Sequence, residues 1–188
     1  GAGAAYELLL AHGITDVAIR PCSGKLTDHY DPRDNTIYLS EGVYNSATVA
    51  AVGVACHEAG HALQHAEGYG PLKLRMSIIP ACRIGSGLAM PLFLIGLLLG
   101  AMGYGLMLAG IACFSLATLF QLITLPVEFN ASRRALEGMR DHYLLAEEEV
   151  GMAEKVLKAA AMTYVAALAT SLLSLLRLIV IANNSRRN

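Results

Sequence analysis

Charged residues are scarce in this sequence of 188 residues, since they make up only 15% of it and the formal net charge is −1. A balance so close to zero gives no indication of a nucleic-acid partner or of a strongly charged substrate. Soluble globular domains usually contain ~25% charged residues. Together with a mean hydropathy of +0.48, the scarcity of charge indicates a protein of the lipid bilayer.

The sequence also lacks a cysteine framework, internal repeats and a signal peptide. Its four cysteines form no C-x-x-C pair, and we interpret them as reduced, small apolar residues. No period of 20–50 residues suggests a solenoid, and no basic segment followed by an apolar core suggests a cleaved leader. A single domain or one compact membrane protein is expected for this length.

A five-residue motif at 57–61, H-E-x-x-H, is the strongest indication of chemistry. Positions i and i+4 of a helix share one face, so His57 and His61 can point their imidazoles at one Zn²⁺. Glu58 lies about 100° further around the helix, where its carboxylate can act as general base on a water. The pattern therefore predicts a zinc hydrolase, and the alternative is a helix that carries two histidines by coincidence.

The segments around this motif predict helices and a small sheet. We expect helices at 3–12 and 46–67, a strand at 16–20 and a β-hairpin at 25–40. Asn45 or Ser46 is the expected N-cap of the second helix. An extended substrate peptide could add to the edge of the hairpin as a further strand and so lie across the metal.

Long uncharged stretches follow and predict membrane spans. The segment 84–127 has no charged side chain, and as a helix it would be about twice the ~30 Å hydrocarbon thickness. The glycine-rich 100–105 is the expected turn between two spans, roughly 84–99 plus a few preceding residues and 106–126. A membrane-surface segment is expected before them at 71–83. A third span is expected at 159–176, within a helix at 147–182. The alternative, a buried helix pair of a soluble protein, would require polar faces that are missing here.

Glu128 is the expected third zinc ligand. It follows the membrane hairpin, and two crossings return the chain to the side on which the histidines lie. Two histidines and one glutamate are a standard catalytic zinc set, and the alternative is an ordinary interfacial carboxylate. His65 is the alternative candidate for the third ligand. A straight helix places it ~12 Å from His57 along the axis, too far for both to bind one ion, so we expect His65 to be a structural residue or to hydrogen-bond to a ligand.

Other candidates are weaker. Asp28, His29 and Asp31 could form a second metal site, but we expect them to be turn residues of the hairpin. The groups that could stabilise a developing oxyanion follow the third ligand in sequence. These candidates are Arg133, His142, Tyr143 and Tyr164.

Four segments together resemble the YugP-type neutral zinc metallopeptidases, a family of bacterial integral membrane proteins. They are L-T-D-H-Y-D-P at 26–32, H-E-A-G-H-A-L-Q-H at 57–65, L-P-V-E-F-N-A-S-R-R-A at 125–135 and A-A-A-M-T-Y-V-A at 159–166. The resemblance implies a gluzincin-like site with one zinc ion, ligands His57, His61 and Glu128, and Glu58 as the base. It also implies a further membrane helix ahead of residue 1.

The sequence departs from related membrane gluzincins at the residue that would orient a zinc-binding histidine. Those proteins have E-x-x-A-D, whose aspartate orients a zinc-bound histidine. Ser132 occupies that place here and Asn130 lies nearby, so neither supplies a carboxylate. The sequence therefore does not identify the group that orients the imidazoles.

The fold class expected is a mainly α integral membrane protein with a small β-hairpin sheet, organised as one zincin-like domain over 1–188. Its parts are a membrane-surface part (1–77), a transmembrane hairpin (78–127), a site helix with connector (128–158) and a third span (159–183). Basic residues flanking the spans predict an active site on the cytoplasmic side of the bacterial plasma membrane.

The predicted function is zinc endopeptidase activity on membrane-associated or misfolded proteins, with a regulatory membrane protein or a homo-oligomer as possible partner. One alternative is a non-catalytic, zinc-stabilised scaffold that binds partner proteins, but such a protein would not need Glu58. A site-2-type intramembrane protease is a further alternative. It would require H-E-x-x-H within a span and an L-D-G segment, and this sequence contains no L-D-G.

Overall fold

The computed structural model describes residues 1–186; Arg187 and Asn188, the end of the predicted C-terminal tail, lie outside this range. In chain order the elements are α1 (Ala2–Ala11), β1 (Ala18–Cys22), β2 (His29–Asp31), β3 (Thr36–Ser40), α2 (Glu41–Tyr44), α3 (Val49–Ala66), α4 (Gly70–Leu98), a 3₁₀ turn (Gly100–Gly103), α5 (Tyr104–Asp141) and α6 (Glu147–Ser185). The mainly α fold class with a small sheet is therefore confirmed.

The sheet has three strands in the order β1-β3-β2. Strand β3 lies in the centre, antiparallel to β2 and parallel to β1. The predicted hairpin is thus present as β2 and β3, and the turn chemistry of 31–35 explains the tight reversal, with Asn35 at a positive φ of 54°. The buried side chains of β3, Ile37 and Leu39, join the hydrophobic core.

Helix α3 begins later than the sequence indicates. The expected caps Asn45 and Ser46 are wrong, because the chain first forms the short helix α2 and then restarts. Thr48 is the actual N-cap, and its side chain accepts a hydrogen bond from the backbone N–H of Ala51. From there α3 runs without interruption through the H-E-x-x-H motif.

The chain divides into two compact units by its internal contacts. Unit 1 comprises 1–73 and 126–162, and its core is formed by side chains of α1, β3, α3 and the unit's parts of α5 and α6. Representative core residues, all almost fully buried, are Leu8, Ile37, Leu63, Met139 and Val150. This unit contains the three potential metal ligands described below and the residues that hydrogen-bond to them.

Unit 2 comprises 74–125 and the segment from 163 onwards, with a smaller core around Phe93, Met107, Leu178 and Ala182. Helices α4 and α5 approach each other closely here, since a Cβ atom at Gly110 would lie 2.7 Å from the carbonyl oxygen of Ala89. Glycine is therefore required at this contact.

Helices α4, α5 and α6 are each long and apolar enough to cross a membrane. Their number agrees with the three spans predicted from the sequence. The segment 71–83, expected to lie at the membrane surface, is the beginning of α4. This helix starts at Gly70, well before residue 84, near which the sequence placed the first span. The division of the single domain into four parts stays a prediction.

Candidate metal centre

Helix α3 places His57 and His61 one above the other on the same face. Their ring centroids are 4.8 Å apart, and the rings are nearly perpendicular at 85°. His61 is 8% exposed. Spacing by one turn of helix accounts for this pairing without help from other elements.

A close approach of α5 brings further residues to the two histidines. A Cβ atom at Gly60, between them in sequence, would lie only 2.5 Å from the carbonyl oxygen of Ala131. Only glycine permits this distance between the helices, since it has no Cβ atom. The H-E-x-x-H motif therefore packs directly on the turn of α5 that contains Glu128 and Ser132.

Glu128 completes a group of three potential metal ligands. Its Oε2 atom lies 3.3 Å from Nε2 of His57 and 3.5 Å from Nε2 of His61, and the side chain is almost fully buried. The three ligand atoms lie within 4.8 Å of one another. Within residues 1–186 this is the only such group of three histidine, cysteine or acidic side chains.

The two distances from the Glu128 carboxylate to the imidazoles fit a tetrahedral zinc ion. Two ligands at ~2.1 Å from an ion and at a tetrahedral angle are ~3.4 Å apart. The two carboxylate–imidazole distances are 3.3 and 3.5 Å. Two imidazoles and one carboxylate also leave a fourth position of the tetrahedron open, as catalytic zinc sites do.

The Nδ1 atoms of both histidines face neutral hydrogen-bond partners. Nδ1 of His57 lies 3.0 Å from Oγ of Ser132, and Nδ1 of His61 lies 3.0 Å from Oε1 of Gln64. Among the residues that the structure describes, the atoms facing these two Nδ1 positions belong to a hydroxyl and an amide, not to a carboxylate. Sequence reasoning missed Gln64, although a polar residue three positions after His61, on a helix whose other polar side chains all belong to the motif or to His65, was a usable sign.

Glu58 lies on the same helix and is 8% exposed. Burial lowers the pKa of His61, whereas the hydrogen bond to Glu128 and the negative charges of Glu58 and Glu128 raise it. The net direction is upward. Two carboxylates thus lie close enough to His61 to stabilise a positive charge at this position.

Of the other predicted site residues, two lie within hydrogen-bonded networks of the same unit. Asn130 accepts a hydrogen bond from the side-chain amide of Gln64 at 2.8 Å. His65 does not join the ligand group, and its Nδ1 lies 2.6 Å from the hydroxyl of Tyr30 on β2. This contact joins β2, one of the two edge strands of the sheet, to the C-terminal turn of the motif helix.

Three of the oxyanion candidates, Arg133, His142 and Tyr143, have their described contacts elsewhere than at the ligands. Arg133 is exposed and pairs with Glu137 at 3.9 Å. The ring of His142 packs edge-on against that of His12, and Tyr143 is 90% exposed in the turn after α5. Tyr164 lies on α6 in unit 2. Their roles at the site stay predictions.

Asp28 and Asp31 both accept hydrogen bonds within the hairpin, Asp31 at its turn, as expected, and Asp28 at the opposite end. Asp28 accepts hydrogen bonds from the backbone N–H and the hydroxyl of Ser40. Hydrogen bonds from Arg33 lower the pKa of Asp31 to about 2. These contacts stabilise the hairpin. Within the part of the chain that the structure describes, Asp28, His29 and Asp31 are not brought together as potential metal ligands.

Comparisons with known proteins agree with this chemistry. Residues 1–183 match the model of a family described as "Putative neutral zinc metallopeptidase". The chain is also 49% identical over 186 residues to the "Putative membrane protease YugP" of Bacillus subtilis (strain 168), covering 99% of this chain and 82% of that protein. No solved structure matches the chain.

Proposed function

The chain belongs to this family of zinc metallopeptidases, and on that premise we propose that it is a gluzincin-type, membrane-bound zinc endopeptidase. The observation that carries the proposal is the convergence of His57, His61 and Glu128 from two helices, with Glu58 on the same helix as the histidines. A zinc site that served only structure would have no use for a buried carboxylate beside the ligands.

In this proposal His57, His61 and Glu128 hold one zinc ion. When bound, zinc supplies a Lewis acid that polarises the peptide carbonyl and lowers the pKa of a water from 15.7 towards ~7. The carboxylate of Glu58 takes a proton from the attacking water and later delivers it to the amide nitrogen as the C–N bond breaks. The products are a carboxylic acid and an amine, and Glu58 returns to its ionised form.

We propose that the substrate peptide adds to the edge of β2. This strand pairs with β3 on one side only among the described strands. The contact between Tyr30 of β2 and His65 joins it to the helix that carries the motif. A peptide paired with β2 would gain backbone hydrogen bonds independent of its sequence, which suits membrane-associated or misfolded proteins as substrates.

The proposed orientation places the site on the cytoplasmic side. Basic residues cluster before the first pair of spans, after it and before the third span; they are Lys73, Arg75, Arg83, Arg133, Arg134, Arg140, Lys155 and Lys158. The uncharged turn at 100–105 lies between the first two spans. Lysine and arginine are enriched on the cytoplasmic side of membrane proteins. A regulatory membrane partner or a homo-oligomer remains a prediction.

The decisive experiment replaces Glu58 by Gln in the purified protein in detergent, with an unfolded generic protein as substrate. We expect zinc content to be unchanged and proteolysis to fall by roughly 10²–10⁴-fold, because the base is lost while the ligands remain. Glu137→Gln, on the surface of α5, is the matched control and should retain activity. Proteolysis at the wild-type rate in Glu58→Gln would refute the mechanism, and a zinc-binding protein inactive in every form would favour the scaffold.

A further inference from the structure

We propose that Gln64 is a positioning residue for His61, in which a neutral side-chain amide takes the place of an orienting carboxylate. The inference rests on the proposed metal centre. It assigns to Gln64 the task of holding the His61 ring with a proton on Nδ1 and with Nε2 directed towards Glu128.

The orientation of the Gln64 amide follows from its partners on α5. Its Nε2 lies 2.8 Å from the carbonyl oxygen of Val127 and 2.8 Å from Oδ1 of Asn130. A backbone carbonyl can only accept hydrogen bonds, so the Gln64 atom facing it must be the NH₂ group. Both amide protons are thereby used, and Oε1 is the atom that faces His61.

The amide in turn determines the tautomer of His61. An amide oxygen carries no proton, so at 3.0 Å the Nδ1 of His61 must be the donor. The lone pair of a neutral imidazole is then on Nε2, the atom 3.5 Å from the Glu128 carboxylate. Gln64 is fully buried, so water does not compete for these bonds.

Further hydrogen bonds connect Asn130, which accepts from the Gln64 amide, to Arg134 and Glu67. Oδ1 of Asn130 also accepts a hydrogen bond from Nε of Arg134 at 2.8 Å, which confirms that this atom is the oxygen. Arg134 forms two further contacts, 2.8 and 2.7 Å long, with the carboxylate of Glu67. Glu67 directly follows α3, so the chain from Gln64 through Asn130 and Arg134 ties that helix to α5.

The two histidines are therefore held unequally. His57 faces the hydroxyl of Ser132, which can either donate or accept and so does not determine the tautomer. His61 faces an amide whose direction is set by two acceptors. We expect loss of Gln64 to affect metal binding more than loss of Ser132.

The test compares zinc affinity, by competition with a chelator, in Gln64→Met and Gln64→Glu. Both variants lose the two donated hydrogen bonds to α5, but only Glu keeps an oxygen that can accept from Nδ1. We expect Gln64→Met to bind zinc 10- to 100-fold more weakly than the wild type, and Gln64→Glu to bind more tightly than Gln64→Met. Gln121→Met, the same change at the other glutamine, is the control and should bind as the wild type does.

A purely structural role predicts a different order. The Glu variant would then bind zinc no better than the Met variant, because its carboxylate faces the backbone carbonyl oxygen of Val127 and Oδ1 of Asn130. That order, or wild-type affinity in Gln64→Met, would overturn the proposal. If the wild type and the Gln121 control bind no zinc at all, the proposed function itself fails.

A measurement on the zinc-loaded protein with an intact Gln64 covers the case in which Gln64→Met does not fold. ¹⁵N spectra of histidine-labelled protein distinguish the two ring nitrogens, and Ser132→Ala identifies the signals of His57 by shifting them. The other metal-bound imidazole is then His61. We expect it to bind through Nε2 with an Nδ1 proton protected from exchange, and binding through Nδ1 would refute the assignment.

Discussion

Because α5 lies so close to Gly60, adding one methyl group at this position should disturb the metal centre. In Gly60→Ala the new Cβ would lie 2.5 Å from the carbonyl oxygen of Ala131 and 3.2 Å from its Cα. These are backbone atoms, which cannot move aside by a change of rotamer. The two helices must therefore separate.

The size of the separation can be worked out from these distances. An ordinary contact begins at 3.4 Å, so the helices must part by about 0.9 Å (3.4 − 2.5) along this direction. Ligand distances in metal sites tolerate only about ±0.2 Å. We therefore expect zinc affinity to fall at least tenfold, roughly as for other changes beside a metal site, and the protein to lose about 1–3 kcal/mol of stability from overpacking.

Gly53→Ala provides the matched control. It lies on the same helix, but its Cβ would lie 3.5 Å from the Cβ of Ala153, an ordinary contact. Alanine favours helix over glycine by ~1 kcal/mol, so this variant should be slightly more stable and bind zinc normally. Chelator competition and thermal unfolding in detergent measure both effects. If Gly60→Ala behaves like Gly53→Ala, the close helix contact does not position the ligands.

Two further predictions concern the ligand set and the topology. Glu128→Gln should reduce zinc occupancy strongly, because a buried anionic ligand becomes neutral, whereas His65→Ala should change occupancy little. Metal analysis of the purified variants measures both occupancies. The reverse order would assign the third ligand to His65. The orientation can be tested by introducing single cysteines into a cysteine-free background. In intact cells, Asn184→Cys should react with a membrane-impermeant thiol reagent and Lys73→Cys should not. Labelling at position 73 with protection at position 184 would reverse the proposed orientation.

Local patterns were sufficient to predict most of the helices. The uncharged stretch at 84–127 predicted a pair of spans, because backbone groups in lipid must be satisfied within helices. The turn residues at 31–35 predicted the hairpin. Boundaries were less certain, since Thr48 rather than Asn45 or Ser46 caps α3. Several residues in succession could act as a cap, and the short helix α2 decided among them.

The paired histidines also follow from sequence alone. A spacing of four residues places His57 and His61 on one face of any α-helix, whatever surrounds it. Glu58 follows from the same motif. Glu128 was proposed because the chain returns after two spans and because zinc peptidases need a third ligand, but no local pattern related its distance to the histidines.

Tertiary structure decided how the site is held. Glu128, Ser132, Asn130 and Val127 reach the motif helix only because α5 packs against it at Gly60. Helical periodicity shows which face of a helix is buried, but it does not show which helix covers that face or in which register. The role of Gln64 depends on that register, since its amide needs Val127 and Asn130 on one side and His61 on the other.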